Sequence, residues 1–318
     1  MIRTVFMGTG EIALPTLRWL LEEREGHRLV GVFTQPDKPA GRHQVLAAPE
    51  VKRIALAAGV PVFQPESFRH NLSALDELRT LSPDLAVVMA YGQILPRAVI
   101  ETPTIACLNL HASLLPRHRG ASPAQAAIRD GDAESGVSLM HVVPKLDAGP
   151  VILQEAFPLA PDETGGSLHE RLAEAAPRAL ARGIALLREG SAPGEPQDET
   201  LATHSGKLGR EHGRLDWSQP AEALERLVRA YDPWPGTHAE ALVAGEARKV
   251  KLFPPVAAVP GAFGEPGSVR LEAGEFLVAC GEGALRIEGA LQFEGRKRLA
   301  AAEWLRGLGD RVEGLCFR

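Results

Sequence analysis

The segment Leu108 to Pro123 reads L-N-L-H-A-S-L-L-P-R-H-R-G-A-S-P. It finishes an apolar β-type run, Ile105 to Leu110, and passes into a loop stiffened by Pro116, Arg119, Gly120 and Pro123. A helix is predicted to begin at Pro123 to Ile128. In an extended chain, positions i and i+2 point the same way. The Asn109 amide and the His111 imidazole therefore converge on one side of the strand end. Strand, loop and helix in succession are the building unit of an α/β sheet, whose ligands sit beyond the carboxyl ends of the strands. On geometry alone the pair reads equally well as structural or as part of a site.

The pattern repeats to either side. Ile2 to Met7 is an apolar run closed by Gly8 and Gly10, as a buried parallel strand is. Leu14, Leu17, Leu20 and Leu21 follow at helical spacing. Leu29 to Thr34 is a second β-type run, ended by the Pro and Gly cluster Pro36 to Gly41, and Val51, Ile54, Ala55 and Ala58 give a helical face stopped at Gly59. Leu85 to Met89 is a third apolar strand, broken at Tyr91-Gly92. Alternating strands and helices predict a doubly wound, mostly parallel sheet.

From Gly136 the texture changes. Residues Val137 to Val143 and Val151 to Leu159 read as two strands joined by a turn at Asp147-Ala-Gly-Pro150, and a helix is predicted from about Ser167 to Arg188. Gly190 to Gly206, rich in Gly, Pro, Ser and acidic residues, reads as a linker. This gives a first domain over 1–189, a linker over 190–208 and a second domain over 209–318. In the second, Pro220 to Tyr231 is helical. Short β-type runs at Val250 to Phe253, Ser268 to Leu271, Phe276 to Cys280 and Ala284 to Ile287 predict a small barrel, and Ala300 to Leu308 a closing helix.

Composition narrows the class. The 318 residues are 45% hydrophobic and 24% charged, with a net charge of −5. That is globular composition without the global basic field of a DNA-coating protein. Cys107, Cys280 and Cys316 fit neither a disulfide framework nor a zinc site, and point to a reducing, cytoplasmic compartment. No apolar run has the length of a membrane span. His27, His43, His70, His118 and His169 show no metal-ligand spacing, so no metal is expected.

Two motifs carry open alternatives. Gly8-Thr9-Gly10-Glu11-Ile12-Ala13 partly matches the dinucleotide fingerprint, but no acidic residue ends the next strand, and a tight strand-to-helix turn explains it better. Asp147, in K-L-D-A-G-P, could reach back to His111, fixing its tautomer and raising its basicity. It could equally satisfy its own turn, as Asp does before Ala-Gly.

N-L-H-A-S-L-L-P-R-H-R-G (Asn109 to Gly120) followed by L-D-A-G-P (Leu146 to Pro150) resembles the signature of the folate-dependent formyltransferases. F-T-Q-P-D-K-P-A-G-R (Phe33 to Arg42), A-Y-G-Q-I-L-P (Ala90 to Pro96), L-D-W-S (Leu215 to Ser218) and R-A-Y-D-P-W-P-G (Arg229 to Gly236) extend the likeness over nearly the whole chain, toward the branch that acts on initiator tRNA.

The resemblance implies a Rossmann-like catalytic domain followed by a smaller OB-like β-barrel. It implies transfer of a formyl group from 10-formyltetrahydrofolate to the α-amino group of methionine on initiator methionyl-tRNA; a monomer is the plain expectation. Asn109, His111 and Asp147 become the catalytic set: Asn109 and a His111 N–H would stabilise the developing oxyanion, and Asp147 would orient His111 and relay the amine proton. The folate would lie against Val88, Ala90, Tyr91, Gly92, Gln93 and Ile94, beside Val137 and Met140, with Ser113, Leu114, Leu115, Pro116 and Gly120 in the adjacent loop. Lys38 and Arg42 would contact the tRNA. The charge of residues 209–318 is nearly balanced, so RNA binding there would rest on local patches: Lys207, then Arg248, Lys249 and Lys251, then Arg296, Lys297 and Arg298. Those patches read equally as solvated strand ends. A small amine acceptor, such as an amino sugar nucleotide, would use the same three catalytic residues.

Overall fold

A computed structural model describes residues 1–22, 26–40, 44–261, 263–272 and 274–318. The chain divides into two compact units, one made of residues 1–123, 134–157 and 169–205, the other of 124–133, 158–168 and 206–318.

The strands of the first unit, in chain order, are β1 (Ile2–Gly8), β2 (His27–Phe33), β3 (Lys38–Ala40), β4 (Val45–Ala47), β5 (Val62–Phe63), β6 (Leu85–Met89), β7 (Ala106–His111), β8 (Arg119–Gly120), β9 (Glu134–His141), β10 (Val151–Pro158) and β11 (His204–Ser205). Helices α1 (Leu14–Glu22), α2 (Glu50–Ala57), α3 (Leu72–Thr80) and α4 (Arg97–Ile100) alternate with them; of the two helices that follow, α5 (Pro123–Arg129) belongs almost wholly to the second unit and α6 (Gly165–Arg188) mostly to the first. Seven strands form one sheet in the order β10-β9-β7-β6-β1-β2-β5. β5, β2, β1, β6 and β7 run parallel and β9 is antiparallel to β7. This is the mostly parallel α/β sheet the alternation predicts.

The chain winds outward from β1 to β2 and β5, then returns to β6 on the other side of β1. The order therefore reverses between β1 and β6, and a crevice at the carboxyl ends is expected there. Gly8 and Gly10 let the two strand ends approach. A Cβ on Gly8 would press on the Phe6 ring, and one on Gly10 would lie 3.3 Å from the Ala90 Cβ. Thr9 Oγ1 also donates to the Tyr91 carbonyl at 3.1 Å. The glycine motif is packed against 89–91, in keeping with a tight turn and not a dinucleotide cradle.

Val5, Met7, Phe33, Ala86, Val88 and Cys107 build the core on one sheet face, with Leu75 and Leu78 of α3. That helix is absent from the sequence reading, although Asn71 caps it by accepting from the Ala74 N–H at 3.0 Å.

The second unit holds α7 (Ala221–Ala230), β12 (Thr237–Val243), β13 (Glu246–Phe253), β14 (Val256–Val259), β15 (Val269–Glu272), β16 (Glu275–Ala279), β17 (Ala284–Ile287), β18 (Ala290–Phe293), β19 (Leu299–Ala300), α8 (Ala301–Leu308) and β20 (Cys316–Phe317). It is β-rich, as expected, and its described strands form two sheets, β19-β18-β13-β12-β20 and β14-β17-β16-β15, with no closed barrel among them. The short runs were legible as strands, whereas closure depends on registers that span distant residues. Trp217, Leu224, Val228, Val250, Phe276, Leu285, Trp304 and Phe317 fill the core of this unit.

Burial pushes the Cys107 thiol up to about 12 and the Cys280 thiol up to about 11, and both side chains are inaccessible. An aromatic disulfide at pH 8 should therefore titrate only Cys316 in the native protein and all three cysteines in urea. Fast native reaction of two or more thiols would contradict this packing.

Candidate active site

Asn109 and His111 close β7. Asn109 is flanked in register by Val88 of β6 and Met140 of β9, and His111 by Ser138 of β9. The pairing fixes both side chains on the same side of the strand. The Asn109 side chain is half-buried, and among the described residues no hydrogen bond engages its amide. A polar amide held rigidly near a strand end, with no partner among the described residues, is available to a ligand.

His111 is 6% exposed. Its Nε2 lies 3.0 Å from the carbonyl oxygen of His118. A carbonyl only accepts, so the neutral ring carries its proton on Nε2 and its lone pair on Nδ1. Nδ1 faces Asp147 Oδ2 at 3.7 Å. That places the carboxylate in ion-pair range of a protonated ring but beyond a hydrogen bond to a neutral one. The tautomer is thus set by the His118 carbonyl, not by Asp147, and an Nδ1–H exists only after the ring takes up a proton.

Asp147 sits in the loop between β9 and β10 with φ +49°, a left-handed conformation unusual outside glycine. Two hydrogen bonds hold it there. Its Oδ2 accepts from the Gly120 N–H at 2.8 Å, and its own carbonyl accepts from Gln197 Nε2 at 2.8 Å. Gln197 belongs to the stretch read as a linker, and that stretch is docked onto the first unit. Val151 and Glu195 exchange both backbone hydrogen bonds at 2.8 Å. Farther on, the Arg119 and Ala121 N–H groups donate to the Thr203 and Ser205 carbonyls at 2.9 and 2.8 Å, beside the β8–β11 pairing.

Arg119, from the R-H-R-G loop, is 1% exposed. Its guanidinium donates to Gln197 Oε1 at 2.8 and 3.1 Å and to the two Glu199 oxygens at 3.0 and 3.2 Å. The Arg119 guanidinium, helped by the Lys145 ammonium 2.7 Å away, holds the Glu199 carboxyl down at about 2. Sequence reasoning missed Arg119, Gln197 and Glu199. The only signal was Arg119 itself, a second basic residue of the R-H-R-G loop standing directly before a glycine.

The residues expected at the folate divide by exposure. Ala90, Gly92 and Ile94 are exposed, while Gln93, Leu114, Pro116 and Gly120 are half-buried. Val88, Ser113, Leu115, Val137 and Met140 are buried, and the Leu115 N–H and carbonyl are engaged by Ser138 Oγ and Gln154 Nε2. Ser113 Oγ donates to the Arg117 carbonyl at 2.6 Å. Tyr91 is buried: its ring packs against Phe68 in the core, and burial raises its phenol above the usual range.

The family model for formyl transferase matches residues 2–184, and that for the formyl transferase C-terminal domain matches 207–309. The chain belongs to the formyl transferase family. It is 49% identical to a methionyl-tRNA formyltransferase of Akkermansia muciniphila over 96% of both chains. It is 50% identical to one from Pseudomonas paraeruginosa, over 95% of this chain and 94% of that one. In fold it resembles the N-formyltransferase from Helicobacter canadensis, solved in complex with folinic acid and dTDP-3-aminofucose, at a TM-score of 0.65 and 16% identity over 90% of this chain and 98% of that one.

The basic residues of this formyltransferase are unevenly disposed. In the first unit Lys38 is exposed on β3, its ammonium against Gln35 Oε1, and Arg42 lies outside the described residues. In the second, Lys207 is exposed, and Lys249 and Lys251 stand on one exposed face of β13. Arg248 does not join them. It shares the parity of the buried Val250 and Leu252, and its guanidinium covers the Phe293 ring at 4.8 Å. Arg296, Lys297 and Arg298 are exposed in the β18–β19 connection, with Arg298 over the Phe253 ring at 3.9 Å. Among the described residues no cluster of His, Cys, Asp and Glu could hold a metal, and no helix is long and apolar enough to cross a membrane.

Gly120 couples these parts. It has φ +115°, and a Cβ there would collide with the Ser205 carbonyl oxygen while its N–H holds Asp147. Gly120→Ala should lower stability by about 1–3 kcal/mol, read as a lower urea midpoint, and lower activity with it. A wild-type midpoint together with wild-type turnover would contradict the packing.

Proposed function

We propose that this chain transfers the formyl group of 10-formyltetrahydrofolate to the α-amino group of methionine on initiator methionyl-tRNA, for translation initiation in the cytoplasm. The observation that carries the reading is near-50% identity, over both domains, to methionyl-tRNA formyltransferases. The convergence of Asn109, His111 and Asp147 at the end of β7 supports it.

In this reading the methionine amine attacks the formyl carbon, and the carbonyl π pair moves onto oxygen. The Asn109 amide, without a partner among the described residues, donates to that oxygen. His111 Nδ1 takes the proton leaving the amine, and Asp147 Oδ2 stabilises the imidazolium. Collapse restores the C=O bond and breaks the bond from carbon to folate N10. N10 takes up a proton, which His111 supplies directly or through water, and the ring returns to its Nε2–H form. The His118 carbonyl keeps the ring oriented throughout.

The tetrahydrofolate lies against 90–94, where Ala90, Gly92 and Ile94 are exposed, with Leu114, Pro116 and Gly120 beside it and 88, 113, 115, 137 and 140 behind it. The catalytic domain spans 1–189 and the second domain 209–318, joined by 190–208. The second domain is an open OB-like barrel. Its two sheets meet where the Phe317 N–H of β20 donates to the Gly267 carbonyl at 2.8 Å, which supports this description. The acceptor tRNA binds through Lys38 and Arg42 of the first domain and through Lys207, Lys249, Lys251 and the 296–298 turn, with Arg248 a rim contact. The enzyme works as a monomer and requires no metal.

Incubation with 10-formyltetrahydrofolate and charged initiator tRNA should yield formylmethionyl-tRNA, and its absence would reject the reading. Uncharged tRNA should inhibit, less so as salt rises. His111→Ala should lower turnover about 100-fold or more, and activity within a few-fold of wild type would reject the role of the imidazole.

A further inference from the structure

Asp147 faces His111 from a loop held at positive φ at that residue. A non-glycine residue at positive φ persists where its surroundings over-determine it. Gly120 fixes the carboxylate, but the carbonyl of Asp147 is fixed by Gln197 alone among the described side chains.

The chemistry of Gln197 suits this task. Its Nε2 donates to the carbonyls of Asp147 and Gly149 at 2.8 and 2.7 Å, and its Oε1 accepts twice from the Arg119 guanidinium. Two carbonyls on one side and a guanidinium on the other leave a single orientation of the amide. A carboxamide is the one side-chain group of this length that can donate to the first pair and accept from the second. Arg119 is itself immobilised by burial and by the fork on Glu199, which remains ionised at any working pH.

We infer that Gln197 is a positioning residue for the formyl-transfer reaction: with Arg119 and Glu199 it clamps the backbone of Asp147, so that the carboxylate stays within reach of His111 Nδ1. The clamp reaches the site from the interdomain stretch and touches neither substrate pocket residue Asn109 nor the imidazole. Its loss should therefore change turnover more than binding. The inference rests on the formyl-transfer reading above.

The test is steady-state kinetics of full-length Gln197→Glu, combined with amide hydrogen exchange at Gly120. A glutamate keeps the Arg119 contact but turns its oxygens toward two carbonyls it cannot donate to. The expected result is a kcat lower by about 10- to 100-fold, the loss that misplacement of a reacting group by about 1 Å brings. KM for both substrates should stay within about twofold. Protection of the Gly120 N–H, whose acceptor is Asp147 Oδ2, should fall selectively relative to amides in β1 and β6. Unchanged kcat and unchanged Gly120 protection would overturn the inference. So would a loss of kcat accompanied by a uniform fall in protection across the sheet, which marks general destabilisation.

If Gln197→Glu fails to fold, Glu199→Ala decides, since Glu199 is exposed and its removal frees one side of Arg119. It should lower kcat about 3- to 10-fold with the same selective exchange at Gly120, and wild-type values of both would overturn the inference. A wild-type enzyme inactive on methionyl-tRNA would refute the assigned reaction, while the exchange at Gly120 would still report on the clamp.

Discussion

A single carboxylate oxygen, Oδ2 of Asp147, ties the site together. It accepts the Gly120 N–H at 2.8 Å and stands 3.7 Å from His111 Nδ1. Residues 111, 120 and 147 belong to a strand end, a loop and a later turn. None would be in range of the others without the folded sheet, so a carboxylate held by a backbone N–H converts three separate segments into one reactive surface. Because the Asp147 side chain is only 11% exposed, its interaction with a charged imidazole is screened less than it would be in open water.

Two kinds of rigidity meet at that oxygen. Asn109 and His111 are fixed by strand register, since shifting β7 by one residue would turn both side chains to the other face. Asp147 has no ladder to hold it and depends on loop hydrogen bonds and on the buried Arg119 guanidinium. The division matches their proposed tasks. The amide must stay put as charge develops on oxygen, which favours preorganisation. The imidazole must gain and lose a proton at Nδ1 while its Nε2–H remains anchored on the His118 carbonyl.

Much of this was legible in the chain. The alternation of apolar strands with helical faces predicts the mostly parallel sheet, and the i, i+2 spacing of Asn109 and His111 places them together, because both signals are local. Asp147 was legible only through the L-D-A-G-P resemblance, since spacing says nothing about a contact across 36 positions of chain. The strap at 195–205 was not legible. It has neither periodicity nor apolar residues to bury, and its structure comes from hydrogen bonds to backbone far away in sequence. The same gap explains Arg248, whose basic neighbours suggest a surface patch while strand parity turns it toward Phe293. Helix α3 could have been found, because Asn71 followed by Leu75 and Leu78 is a cap with a helical stripe.

The protonation site of the His111 ring is the point from which the chemistry follows, and nitrogen NMR of the histidine-labelled enzyme reads it directly. In the neutral imidazole the proton should reside on Nε2, leaving Nδ1 open toward Asp147. A neutral ring carrying its proton on Nδ1 would contradict the account, because no lone pair would then face the attacking amine.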